Sequence, residues 1–273
     1  MGTDGDALKA LLLAFVLLIA SSVGPAAATG SAAPGSAPYQ WYVPILTYHF
    51  TVCAPPGTPA ASRYLYICPD LFRAQMQAIR DDGWTFITMA ELGTLFMANL
   101  HPDPKTVVVT IDGTDSGDYR VAYPILRDLG LKATFFISPG RLGRRGLQTW
   151  DDLRAMRLNY QDVESHGMYH LKLIRLHGDA LYHELADASD AIEANLGYRP
   201  SVICYANGFT NAEVRAATRL VSGLKIAPQT HTVKPPHSKP LEDSTKPLQM
   251  IRLSARPISP LQLLDVIQPY VNG

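Results

Sequence analysis

The chain has 273 residues, enough for one large α/β domain or two small ones. Hydrophobic residues make up 47% and charged residues 18%, which excludes an intrinsically disordered chain. The 24 basic and 24 acidic residues cancel, so no net field draws the chain to nucleic acid or an anionic membrane, and a neutral substrate fits that balance better than a polyanion.

The N-terminus differs from the rest. Lys9 precedes an apolar run over residues 10–20, then small residues through Ala26, Ala27 and Ala28. This is the layout of a secretory signal peptide with an A-x-A-like cleavage site, so residues 1–28 are expected to be removed on export to the periplasm or medium. An uncleaved anchor is the competing reading, but the run is short for a membrane span of about 20 residues. No membrane partner is expected after cleavage. Residues 29–40, rich in Gly, Ser, Ala and Pro, form a flexible lead-in, and one domain is expected over residues 41–273. Cys53 and Cys68 bracket a Pro/Gly-rich loop that an exported protein can close with a disulfide. Cys204 lies in an apolar run and reads as a buried free thiol.

Along the chain, residues 42–49 predict a first strand ending at His49. Residues 70–83 predict a helix, with apolar positions 71, 72, 76 and 79 and a terminal glycine. Thr88 and Glu91 form a capping box for a helix over 89–99. Val107, Val108 and Val109 run through Thr110 and Ile111 into Asp112, Gly113, Thr114 and Asp115, a buried parallel strand stopped by an acidic turn. Helices follow over 123–129, from Trp150 onward (capped by Thr149), and over 179–195, 211–221 and 260–271 (capped by Ser259). Strands are expected over 132–138, 162–165, 201–205, 224–227 and 248–253, with a polar loop over 228–247. Strand stretches starting at 42, 106, 132, 162, 201, 224 and 248, separated by helices, argue a distorted (β/α)7 barrel with its active site at the C-terminal rim. An open doubly wound sheet is the alternative, but no G-x-G-x-x-G or P-loop follows any strand.

On that rim His49, Asp112, His166 and Tyr205 all stand at strand ends. His166 and His170 are four residues apart; on a helical turn that spacing puts both imidazoles on one side, able to share a metal ion. Arg252, in the last strand, either pairs with Asp112 or turns outward. Trp150, Tyr169 and Phe209 lie near these positions and are candidates for stacking on sugar rings, although aromatics are more often core.

These landmarks together resemble the polysaccharide deacetylase family, the NodB-homology domains of carbohydrate esterase family 4. They are Val43-Pro44-Ile45-Leu46-x-Tyr48-His49, Thr110-Ile111-Asp112, Ala122-Tyr123-Pro124-Ile125-Leu126, Gly130-Leu131-Lys132-Ala133-Thr134-Phe135-Phe136 and Ser165-His166-x-x-x-His170. Their order is similar to exported, circularly permuted members acting on N-acetylglucosamine polymers. The resemblance implies metal-dependent hydrolysis of an acetamide, with Asp112 as general base, His49 as the acid that protonates the amine, and His166 and His170 as metal ligands. Zinc is the first expectation for such ligands. O-deacetylation of a glycan would use the same machinery. Three positions depart from the family pattern. Gly113 stands where the family has its third metal ligand, an aspartate, so Asp115 is the candidate replacement. Gly167 replaces a Ser/Thr that braces the histidine loop. Ala206-Asn207-Gly208 follows Tyr205 in place of a P-Y-G-type oxyanion and substrate-binding segment, leaving Tyr205, Asn207, Gly208 and Trp150 as substrate-binding candidates. With one ligand missing, a carbohydrate-binding protein on a lapsed catalytic scaffold is the alternative function.

Overall fold

The computed structural model describes residues 40–41, 43–229, 242–243, 250–255 and 257–271. The predicted leader and most of the predicted polar loop over 228–247 lie outside the described residues. The strands are β1 (Gln40–Trp41), β2 (Ile45–Tyr48), β3 (Thr85–Ile87), β4 (Thr106–Asp112), β5 (Thr134–Ile137), β6 (Asp162–Ser165), β7 (Pro228–Gln229), β8 (Glu242–Asp243), β9 (Met250–Ile251) and β10 (Leu253–Ser254). The helices are α1 (Pro69–Asp81), α2 (Met89–Met97), α3 (Tyr123–Asp128), α4 (Trp150–Leu158), α5 (Gly178–Leu196), α6 (Ala212–Leu220) and α7 (Pro260–Ile267).

β4 is the axis of the sheet because its valine run suits a strand covered on both faces: all seven positions are buried. β2 pairs parallel with it on one side and β5 on the other, and β6 pairs parallel with β5. Single parallel bridges then carry the pairing onward, Ser165 to Ile203 and Val202 to Ile226. β7 pairs parallel with β9, and β10, just beyond β9, pairs parallel with β2. The pairings thus run round a distorted β/α barrel and return to their start. β1 and β8 form a separate antiparallel pair.

Side chains alternate between two cores. Ile45, Val108, Phe136, Val202, Cys204, Ile226 and Met250 point inward and pack with Met89, Leu92 and Phe96 of α2. Leu46, Val107, Val109, Phe135, Ile137 and Val163 point outward against the surrounding helices. α1 supplies Phe72, Met76 and Ile79 to that outer layer, three fully buried side chains each contributing about 1.5–3 kcal/mol of transfer free energy. α2 plays a different part. Its first backbone N–H groups meet Thr134 and Asp162 at the starting ends of β5 and β6, so it plugs the bottom of the barrel. Gly93 permits the fit, since a Cβ there would stand 2.7 Å from Ile226 Cδ1. With the bottom closed, the open end is the one where the strands finish.

Most predicted elements are present within two or three residues of their expected bounds, including the capping boxes at Thr88, Thr149 and Ser259. Two predicted strands shrink to bridges and short pieces, residues 201–205 and 224–227, because each pairs only at one or two residues. β3 escapes the sequence reading: three residues, one of them exposed, give no alternation to detect. It extends the same side of β4 that β5 occupies, with Thr85 N–H donating to Lys105 O. Cys53 and Cys68 form the expected disulfide, and Cys204 is free and buried. Among the described residues no helix is long and apolar enough to cross a membrane.

Candidate active site

The strand ends deliver their side chains to one cavity of about 520 Å³. His49 follows β2, Asp112 ends β4 and His166 follows β6, and all three line it together with His170, Asp115, Asn207 and Phe209. Residues more than a hundred positions apart become neighbours because parallel strands start and finish together.

Asp112 is the floor. Its carboxylate receives two parallel bonds from Arg252, Nη1 to Oδ1 and Nη2 to Oδ2, each 2.6 Å. The Arg252 side chain is fully buried, so alternation turns it inward. Burial by itself would raise the Asp112 carboxyl; the charge and hydrogen bonds of Arg252 overcome it and hold the group well below the usual carboxylate range. Thr110 Oγ1 accepts a further bond from Arg252 Nη1 at 3.0 Å. Cys204 Sγ lies 3.0 Å from Arg252 Nη2 and 3.5 Å from Asp112 Oδ2. Burial pushes that thiol well above its ordinary value, so it remains S–H. His49 Nε2 stands 3.9 Å from Asp112 Oδ2, and burial lowers its pKa against the pull of Asp112.

The two metal-motif histidines meet, though not on a helix. Residues 166–171 form an irregular loop in which Gly167 and His170 take left-handed backbone, φ +77° and +63°. This bend, rather than helical spacing, brings the ring centroids within 4.8 Å. His166 Nδ1 is 2.7 Å from the Cys204 carbonyl, which can only accept, so the proton sits on Nδ1 and the Nε2 lone pair is left for a ligand. Burial lowers His166 to about 4, and burial followed by the charge of Arg141 lowers His170, so both rings are neutral near pH 7.

The glycine at 167 has a physical reason. A Cβ there would stand 2.8 Å from Glu184 Oε1, and that oxygen accepts from Tyr169 N–H at 2.8 Å and Leu171 N–H at 3.3 Å. A carboxylate from α5 thus braces the loop in place of the expected hydroxyl. No local sequence pattern marks Glu184, because its partners lie more than twelve residues away.

Gly113 also differs from a simple deletion of a ligand. Its backbone sits at φ +132°, a conformation that favours glycine, although a Cβ there would meet no atom within 4 Å. Asp115 does line the cavity, but its Oδ1 accepts from Gly117 N–H at 2.8 Å, closing an Asx-type turn. Asp118 is buried beside it, bonded by Gln148 Nε2 at 3.2 Å, and burial together with Asp115 raises its carboxyl well above the ordinary value.

Three sequence candidates fall elsewhere. Tyr205 is fully buried in the cluster under α5 and α6, away from the cavity lining. Trp150 packs half-buried against the outer helical core. Gly208 closes a turn with its N–H on Tyr205 O and is not part of the lining, whereas Asn207, at φ +64°, is. The tight turn after Cys204 sends the Tyr205 ring behind the wall and leaves Asn207 at the surface.

The donor chemistry decides whether a divalent ion fits. Among the described residues, Asp112, His166 and Cys204 bring one ligand atom each within 4.8 Å of one another. Arg252 contacts both Asp112 oxygens and the sulfur, so a cation placed in that group would face a buried guanidinium and a protonated thiol. The imidazoles suit an ion better: both are neutral, one is braced through its second nitrogen, and both open on the cavity. Asp115 is the cavity-lining carboxylate not engaged by an arginine.

Residues 99–222 match the family described as polysaccharide deacetylase. The polysaccharide deacetylase homologue YxkH of Bacillus subtilis is 27% identical over 175 residues, which span 64% of this chain and 60% of that protein. The Streptococcus pyogenes deacetylase PplD, solved in complex with acetate, is 26% identical and superposes with a TM-score of 0.74 over 85% of this chain and 99% of that one. IcaB from Ammonifex degensii, 20% identical over 83% of this chain and 97% of its own, shares the fold with a TM-score of 0.68. Members of this carbohydrate esterase group are metal-dependent hydrolases of glycans. With its barrel, its rim of histidines and aspartate, and these matches, the chain is similar to the polysaccharide deacetylases in fold and, over residues 99–222, in sequence.

Proposed function

We propose that this chain is an exported, zinc-dependent polysaccharide N-deacetylase acting on an N-acetylglucosamine-containing polymer. The observation that carries it is the convergence of His49, Asp112, His166 and His170 on one cavity. His166 and His170 would hold the ion, with Asp115 as the oxygen donor once its carboxylate swings out of the Asx turn. When bound, such an ion polarises the acetamide carbonyl and acidifies a water molecule. Asp112, kept ionised by Arg252, takes the proton of the attacking water. It is a weak base, which suffices for an acidified water. His49 is neutral at rest, so the proton it gives the departing amine is the one collected by Asp112, 3.9 Å away. Asn207 and Phe209, also on the cavity lining, would contact the sugar. Export is supported by the leader-like apolar run and by the Cys53–Cys68 disulfide, which suits an oxidising compartment.

One observation favours a second reading, a glycan-binding protein that no longer hydrolyses: Gly113 offers no side chain and Asp115 is turned into its own loop. The test is zinc content and acetate release from N-acetylglucosamine oligomers for the wild type, His166→Ala and Gly113→Asp. Tight zinc and acetate release in the wild type, both lost in His166→Ala, are expected. Oligomer binding without release, with release appearing in Gly113→Asp, would establish the second reading. Because φ at 113 strains any side chain, the stability of Gly113→Asp is measured alongside.

A further inference from the structure

We propose that the glycan taken by this cleft carries an anionic group, carboxylate or phosphate, beside its acetamido sugar, held by Arg141 and Lys172; this rests on the glycan reading above. Both residues line the cavity and both are half-buried. Several other cations stand in ion pairs, among them Arg73, Lys105, Arg127, Lys132, Arg154 and Arg199, while Arg157 and Arg215 are half-buried without one; what sets Arg141 and Lys172 apart is that both line the same cavity. Among the described residues Arg141 and Lys172 have no acidic partner. Lys172 Nζ instead lies over the Phe209 ring, 4.4 Å from its centroid. Two cations on one cavity lining repel each other, and an anionic group bound between them would relieve that repulsion through charge-assisted hydrogen bonds.

The acids facing these cations do not cancel them. Asp112 is already neutralised by Arg252, and Asp118 is buried behind the lining, bonded by Gln148 Nε2. Asp115 remains, one acidic charge on the lining against the two basic ones. Arg144 and Arg145 add two exposed charges on the loop that carries Arg141. That loop is fixed on both sides: Gly140 N–H donates to Met168 O at 2.9 Å, and Ser116 N–H to Gly146 O at 3.0 Å. A Cβ at Gly140 would lie 2.3 Å from the Tyr169 ring, so the loop packs closely at the point from which Arg141 projects. The neutral balance of the whole chain therefore hides a positive mouth, against the sequence expectation of a neutral substrate.

The experiment compares calorimetric binding of three tetrasaccharides to the intact domain: neutral chitotetraose, an alternating N-acetylglucosamine–glucuronate oligomer, and chitotetraose phosphorylated at one 6-hydroxyl. The wild type should bind at least one anionic oligomer about tenfold tighter than the neutral one, the size of one charge-assisted hydrogen bond. Added salt should narrow the gap, and which oligomer gains identifies carboxylate or phosphate. In Arg141→Gln/Lys172→Gln the preference should fall below about twofold, while Arg141→Lys keeps most of it. Equal affinity for neutral and anionic oligomers, or a preference that survives the double variant, would overturn the proposal. No binding of any of the three would instead remove the glycan reading itself, and this inference with it.

Discussion

Two layers of the same barrel interior handle buried carboxylates in opposite ways. At the top, Asp112 meets a guanidinium in a two-pronged pair and is ionised. On β6, Asp162 stands lower in the register and Glu164 two residues above it, both pointing inward with no cation bonded to either among the described residues. Asp162 Oδ2 accepts from Thr134 Oγ1 at 3.1 Å, and Glu164 accepts from Val202 N–H at 3.0 Å and Ser201 Oγ at 3.3 Å. Burial raises Asp162 to about 6, and burial with the neighbouring Asp162 raises Glu164 well above the ordinary value. The lesson is that depth does not set charge. A neutral donor satisfies a lone pair but does not offset the lost hydration of a full charge, whereas an adjacent guanidinium does. The layer that keeps its charge is the one that opens on the cavity.

Breaking the upper pair should have the largest effect. Arg252→Met leaves Asp112 buried and alone, and urea unfolding should show a loss of about 3–5 kcal/mol. Asp112→Asn/Arg252→Met should recover much of that loss, since the cost lies in the orphaned charge. A single variant as stable as the wild type would mean the pair is not buried as described.

The lower layer should respond with the opposite sign. The folded Asp162 carboxyl holds its proton up to about pH 6, while the unfolded chain releases it near 4. Stability from this group is therefore full below pH 4 and lost as pH rises through 6. Asp162→Asn, which cannot ionise, should raise stability at pH 8 relative to wild type by on the order of 2–3 kcal/mol, with little gain at pH 4. An unchanged pH slope would show that the carboxyl is charged after all.

Glu184 is a third case, buried and bonded by backbone N–H groups of the histidine loop. Glu184→Ala should cost about 1–3 kcal/mol and weaken zinc binding about 10–100-fold by loosening the loop that presents His166 and His170. Calorimetric metal titration checks it, and unchanged affinity would leave the loop braced by other contacts. The smallest change is expected for Cys204→Ser. A hydroxyl still accepts from Arg252, so stability should move by no more than about 1 kcal/mol and zinc affinity should hold. A collapse of zinc affinity would make the sulfur a ligand and overturn the argument from Arg252.

What the sequence by itself determined is local. The valine run ending at Asp112, the capping boxes at Thr88, Thr149 and Ser259, and the strand–helix alternation depend on neighbours within a few residues, so the barrel and its rim were legible. The ordered landmarks around His49, Asp112, His166 and His170 named the site. What only the tertiary structure decided involves partners far apart in the chain. Arg252 turned inward rather than outward, because residues 140 positions apart meet across the barrel. Glu184 took over the brace that Gly167 lacks, Tyr205 and Trp150 went to cores behind the wall, and Arg141 and Lys172 came to share a mouth. Spacing in sequence fixes which way a strand's side chains alternate; closure of the sheet fixes what they meet.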